Sequence, residues 1–266
     1  MNTFKTVPLA IRGLATLLLL PVGLSLANDP RPPAATGEGG WRSAARHSAG
    51  IAPDPTALAD TAIVQVYAAA TYGWRGYFAV HPWIIYKRAG DTAYTRYDVI
   101  GWGRGTVVRR NYALPDGLWF GAMPRVLVDH RGAGVEAMIE DIEAAIASYP
   151  HADEYRSYPG PNSNTFLAHI GREVPALRLD LPANAIGKDY RPVTRPLGVS
   201  PSGSGLQFSL LGLLGLSVGV QEGIELNLLG LNFGLDLNSP GLRLPAIGRI
   251  GLDDAVVSHH GAASGP

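Results

Sequence analysis

The stretch GYFAVHPWIIYKRAGDTAYTRYDVIGWG, residues 76–103, decides how this chain is read. Its first half is dense in aromatic and β-branched residues, a composition that suits a pleated, half-buried surface. Ala89-Gly90-Asp91 is a turn signal, and AYTRYDVIGWG (93–103) resumes strand character, so the two segments form an antiparallel hairpin. Working outward, AIVQVYAA (62–69) supplies a strand before the hairpin and GTVVRRNYA (105–113) a short one after it. In GVEAMIEDIEAAIAS (134–148) the period changes: Val135, Met138, Ile139, Ile142, Ala145 and Ile146 fall at helical spacing, with Glu136, Glu140, Asp141 and Glu143 on other faces. Tyr149-Pro150 ends that helix, because a residue before proline avoids the helical region. A second helix, about 163–172, follows PGPNSNTF (159–166), and VPALRLDLP (174–182) is extended. The expected fold class is α+β, an antiparallel sheet with two or more helices.

The C-terminal part changes character. LQFSLLGLLGLSVGV (206–220) carries no charge, QEG (221–223) turns the chain, and IELNLLGLNFGLDL (224–237) alternates apolar and polar residues. The alternation slips by one residue at Leu228-Leu229, the pattern of a β-bulge. The expectation is a Gly/Leu-rich, bulged β-hairpin over 206–237 that covers one face of a single domain, 59–250. Glycines at 212, 215 and 219 argue against a membrane-spanning helix there. Residues 28–58, rich in Pro, Gly and Ala, read as a linker, and 251–266 as a flexible tail.

Composition narrows the function classes. The chain has 266 residues, 46% of them hydrophobic, enough for a sizeable core. Lys+Arg and Asp+Glu both number 22, so no basic excess exists to bind a phosphate backbone, and a nucleic-acid partner is not expected. With no cysteine, disulfides, thiolate metal sites and a Cys nucleophile are excluded. Lys5 and Arg12 precede the apolar run GLATLLLLPVGLSLA (13–27), and Ser25 and Ala27 are the small residues of a cleavage site. Residues 1–27 thus read as a signal peptide, or as an N-terminal anchor in the inner membrane if uncleaved. Either way the protein is exported to the periplasm or cell envelope, with a membrane surface among its potential partners.

Few residues carry chemistry. No H-x-E or H-E-x-x-H pattern, G-x-S-x-G elbow or phosphate-binding glycine loop occurs, so neither a metal nor a cofactor is expected. His81 stands in an apolar strand between Val80 and Pro82-Trp83, where an imidazole is either paired in the core or lines a pocket. If the hairpin register has an odd sum, His81, Trp83 and Ile85 share a face with Arg96, Asp98 and Ile100, and Asp98 is near enough to orient the His81 ring. Ser163 falls in the first turn of the second helix, where unpaired N–H groups and the positive dipole end stabilise an oxyanion. Asn162, Ser163 and Asn164 are also the ordinary equipment of a helix cap.

The string HPWIIYKRAG…YTRYDVIGWG…PDGLWFG…YPGPNSNTFLAHIGREVP…LPANAIGKDY resembles an uncharacterised bacterial family of cell-envelope proteins, classed as a domain of unknown function, over about residues 60–250. Its most specific string is GPNSNTF. NSNTF (162–166) is also similar to the Asn-Cys-x-x-Phe motif of circularly permuted papain-like proteins, including the NlpC-type and lecithin:retinol acyltransferase-like groups. That resemblance implies a permuted papain-like fold, with His81 as general base, Ser163 at the nucleophile position and Asp98 as the orienting group. Here Ser replaces Cys, and a serine hydroxyl needs a base throughout its attack. The site is then either a serine hydrolase or acyl transferase, or a cleft that only binds a lipid or partner. Asn162, Asn164 and Trp83 are the expected binding residues, and a lipid or peptidoglycan-associated molecule the expected substrate. AIGKDY (185–190), with Lys188 and Asp189, has no role from sequence.

Overall fold

The structure, a computed structural model, describes residues 40–252 and 256–260, besides positions 13 and 16. The expected signal or anchor segment, 1–27, lies outside the described residues but for those two positions. Strands β1 (Ile63–Ala70), β2 (Val80–Lys87), β3 (Thr95–Val99), β4 (Val108–Arg110) and β5 (Arg125–Arg131) are followed by helices α1 (Val135–Ala147) and α2 (Ser163–Glu173). The chain then runs through β6 (Leu197–Val199), β7 (Gly205–Leu210), β8 (Leu214–Gly219), β9 (Gly223–Leu228), β10 (Leu231–Asp236), β11 (Gly241–Leu244), β12 (Gly248–Gly251) and β13 (Val257–His260). Among the described residues from 40 on, two α-helices and two mostly antiparallel sheets make the class α+β.

The first sheet has the order β13-β5-β1-β2-β3-β4, antiparallel except where β13 joins β5 in parallel. Its central strands are buried on both faces, which is why IVQVYAAA reads as an almost unbroken apolar run. Val64, Val66, Ala68, Ile84 and Tyr86 point to one side, against Ile139 and Ile142 of α1 and Phe166, Leu167 and Ile170 of α2. Ile63, Tyr67, Trp83 and Ile85 point to the other, where Trp119 and Phe120 cover them.

Part of that second cover comes from the segment read as a linker, and this is a correction. Ala44, Ala52 and Leu58 pack against the Trp83 cluster. Asp116 fixes the segment: its carboxylate accepts from Ser48 Oγ at 2.7 Å and from the N–H groups of Ile51 and Ala52 at 2.8 and 3.2 Å. A chain without regular structure can lie on a sheet when a carboxylate takes its otherwise orphaned N–H groups. The expected tail needs a similar correction, since Val257–His260 pairs with β5.

The second sheet is a seven-stranded meander, β12-β11-β10-β9-β8-β7-β6. The expected bulged hairpin is four of its strands. The phase slip is a turn: Leu228 pairs with Leu231, and the two residues between them, Leu229 (φ +54°) and Gly230 (φ +77°), are both left-handed. Two consecutive positive φ values define the tight turn that suits the twist of a two-residue hairpin.

The polarity of this sheet is inverted. Gln207, Ser217, Glu225 and Arg243 occupy buried positions on its inner face, while their neighbours Leu206, Leu216, Ile224 and Leu242 face outward and are exposed. The inner face rests on the segment left unassigned from sequence. The Asp189 carboxylate accepts from Gln207 Nε2 at 2.7 Å and Asn227 Nδ2 at 2.9 Å, and Lys188 Nζ donates to Glu225 Oε2 at 2.6 Å. Lys188 and Asp189 are therefore the polar clamp between the two sheets.

Candidate functional site

The hairpin register is Ile84↔Tyr97, Ile85↔Arg96 and Tyr86↔Thr95, an odd sum, so His81 and Asp98 emerge on one face of the first sheet. Asp98 Oδ1 lies 3.0 Å from His81 Nε2. Arg96 grips the same carboxylate twice, Nε to Oδ2 at 2.7 Å and Nη2 to Oδ1 at 2.8 Å. Burial works to raise the Asp98 pKa, but hydrogen bonds from His81 and Arg96 and the guanidinium charge hold it below the usual carboxylate range. An ionised carboxylate only accepts, so His81 Nε2 carries the proton and Nδ1 keeps the lone pair. Burial pushes the imidazole below its ordinary value, with Asp98 opposing, so the ring is neutral near pH 7. Trp119 stacks on it at 3.7 Å between centroids and 8° between planes. Among the described residues, Nδ1 makes no hydrogen bond.

Ser163 begins α2 after a bend in which Tyr158-Pro159 and Gly160-Pro161 are both cis. Asn162 is the cap: its Oδ1 accepts from the N–H groups of Asn164 and Thr165 at 2.9 and 3.2 Å, and Thr165 Oγ1 accepts from the Asn162 N–H at 3.1 Å. The Asn162 amide nitrogen donates to Ser157 O and Ile186 O, which leaves that side chain fully engaged. Gly187, at φ +100°, lies against it, where a Cβ would fall 2.4 Å from Asn162 Nδ2. Asn164 Nδ2 donates to Val80 O and Ile186 O, tying the helix start to β2, while its buried Oδ1 has no partner. Because the cap takes the Asn164 and Thr165 N–H groups, Ser163 N–H is the first-turn donor left over. Among the described residues, Ser163 Oγ makes no hydrogen bond and none joins it to His81.

His81 and Ser163 line one cavity of about 750 Å³, together with Asn162 and Asn164. Its walls are largely aromatic, with Trp74, Trp102, Trp119, Phe120, Tyr155 and Tyr158 among them, and Arg75 is the cationic side chain on its lining. Asp98 lies behind His81, fully buried. Trp83, expected to bind ligand, does not line the cavity: it is fully buried, stacked on Tyr67, with its Nε1 donating to Pro115 O at 2.8 Å and the Arg96 guanidinium over its ring. Trp119 holds the position at the cavity wall that sequence reasoning gave to Trp83. Its signal in the sequence is the aromatic density of PDGLWFG (115–121).

The structure thus defines an α+β protein in which a helix-initial serine and a carboxylate-anchored histidine share an aromatic cavity. Residues 61–190, that is, β1–β5, both helices and the Lys188–Asp189 clamp, are similar to a family described as "Protein of unknown function (DUF3750)". That match ends before the second sheet, whereas the resemblance read from the sequence extends to about residue 250. No curated protein and no solved structure matches the chain.

Proposed function

We propose that this cavity is the site of a serine-dependent hydrolase or acyl transferase of permuted papain-like type, acting at the cell envelope on an amphipathic acyl substrate. The observation that carries the reading is that Ser163 and His81, whose Oγ and Nδ1 make no hydrogen bond among the described residues, line the same cavity while Asp98 fixes the His81 tautomer. Ser163 attacks the acyl carbonyl, His81 Nδ1 takes its proton, and the proton then passes to the leaving group. Ser163 N–H, at the positive end of α2, faces the developing oxyanion; the Asn164 N–H, spent on the cap, does not take part. The aromatic walls suit an acyl chain, and Arg75 suits an anionic group of the substrate. Catalytic hydrogen bonds are often long in unliganded sites, so the unjoined Ser163 and His81 are compatible with this chemistry.

The test is fluorophosphonate labelling followed by peptide mapping. Covalent modification at Ser163 that is lost in Ser163→Ala and His81→Ala supports the reading; no modification at Ser163 in the folded protein overturns it. The missing Ser163–His81 bond favours a second reading, a cleft that binds an acyl chain without chemistry. On that reading Ser163→Ala still binds the lipid, and Ser163→Trp, which obstructs the cavity beside His81, does not.

A further inference from the structure

The second sheet turns its apolar side chains outward, and among the described residues nothing covers them. Leu206, Val218, Ile224, Leu235, Leu242 and Ile250 form one row, each paired with the next across β7 to β12. A parallel row runs from Leu197 on β6 to Phe233 on β10. Even at the sheet's centre the exposure is 47% for Leu216 and 42% for Ile224. Seven strands at their ordinary spacing make a face roughly 30 Å by 20 Å. Its projected area, roughly 600 Å² before side-chain relief is counted, reaches the upper end of what a typical soluble monomer exposes.

The chemistry of the face selects its occupant. No outward strand position of β6–β12 carries a charge, hydroxyl or amide, nor Trp, Tyr or Arg. Protein interfaces of this size carry several hydrogen bonds and are enriched in those residues, which fix register and partner. This face offers a protein nothing to orient on, whereas hydrocarbon asks for no hydrogen bond. The polar residues such a sheet would ordinarily show to solvent are turned inward and spent on Lys188, Asp189 and Arg172. The same chain also carries the uncharged run 13–27, an apolar stretch suited to a membrane. We infer that the outward face of the second sheet seats on the hydrocarbon boundary of a phospholipid bilayer, with Leu216, Val218 and Ile224 central to the contact. The face ends at the turn holding Leu229, whose carbonyl accepts from Tyr158 Oη at 2.9 Å, and Tyr158 lines the cavity. The seated sheet therefore brings the cavity wall alongside the bilayer. The inference stands on the sheet alone and holds whether or not Ser163 is a nucleophile.

Because the chain has no cysteine, Val218→Cys gives one attachment point for an environment-sensitive fluorophore on the full-length protein. With neutral phosphatidylcholine vesicles, its emission shifts to the blue and brominated acyl chains quench it, equally at low and high salt. A label at Glu140→Cys, on the exposed face of α1, stays unquenched. Adding Leu216→Glu and Ile224→Glu, whose side chains face solvent, abolishes quenching at 218 while circular dichroism shows the fold retained. A label at 218 that stays aqueous while the chain binds vesicles through residues 13–27 overturns the inference. So does a label already shielded without lipid in a particle of twice the mass, which assigns the face to a second copy of the chain.

Discussion

Lys188 Nζ lies 2.6 Å from Glu225 Oε2, and both side chains are 1% exposed. This pair joins the segment that follows α2 to the centre of the second sheet, with Arg243 Nη1 3.6 Å from the other carboxylate oxygen. Removing one member of a buried pair strands the other charge, a loss of about 3–5 kcal/mol, whereas replacing both by apolar groups is far milder. Lys188→Met alone should therefore lower stability to urea by about that much, and Lys188→Met with Glu225→Leu by clearly less. Additive losses in the double variant would count against the clamp.

His81 gives a pH dependence with a definite sign. Burial lowers its pKa in the folded protein despite the Asp98 carboxylate, so the unfolded chain takes up the proton first as pH falls. The stability this group contributes is present above the ordinary imidazole value of about 6.5 and is lost as pH falls through the lower, folded value. His81→Gln should flatten the stability slope in that window. The acid limb of Ser163 labelling should likewise lie below about pH 6.5. An NMR titration placing the ring at or above that value would contradict both.

Asp98→Asn acts on two residues at once. It leaves the Arg96 guanidinium, 1% exposed on its side chain, without its buried counter-charge, at a cost of about 3–5 kcal/mol. It also releases the His81 tautomer, so labelling at Ser163 should slow by at least about 100-fold in protein that remains folded. Chemical denaturation and labelling kinetics separate the two effects. Unchanged kinetics would reduce Asp98 to an ion-pair partner of Arg96.

The helix start makes a local prediction. Asn162→Ala orphans the N–H groups of Asn164 and Thr165 and removes the donors to Ser157 O and Ile186 O. A loss of about 1–2 kcal/mol is expected, with hydrogen exchange quickened first at Asn164 and Thr165. Asn162→Asp keeps the cap acceptor and should recover part of that stability.

Much of the first sheet was legible because its signals are local. The alternation in HPWIIYKR and TRYDVIGW, with a turn between, fixes which residues can share a face, although only the turn's geometry makes the register sum odd and sets His81 beside Asp98. The start of α2 was legible from Asn162 and the following polar run. The stacking of Trp119 on His81 was not, since Trp119 reaches the ring from a loop without period; the binding residue the sequence singled out is the neighbouring Trp83. The second sheet was misread because Leu229 occupies a left-handed turn position that usually signals itself with Asn or Gly, so a turn looked like a bulge. Residues 40–58 lacked a pattern because distant, irregularly spaced contacts hold them: the Asp116 carboxylate, backbone bonds from Leu118 and Gly121, and packing of Ala44, Ala52 and Leu58 on the Trp83 cluster. β5 escaped notice because Asp129, His130 and Arg131 interrupt its apolar run, the charged pair resolving itself within the strand at 2.6 Å.

The parallel pairing of Val257 with Val128 sets an order of events during synthesis. The outer edge of β5 is complete only when a segment made roughly 130 residues later arrives to occupy it. Until then the nascent domain presents an open row of backbone donors and acceptors, the surface on which a chaperone or another unfinished chain can add a strand. β13 is thus the strand that covers β5, and truncation anywhere before it leaves the β5 edge open.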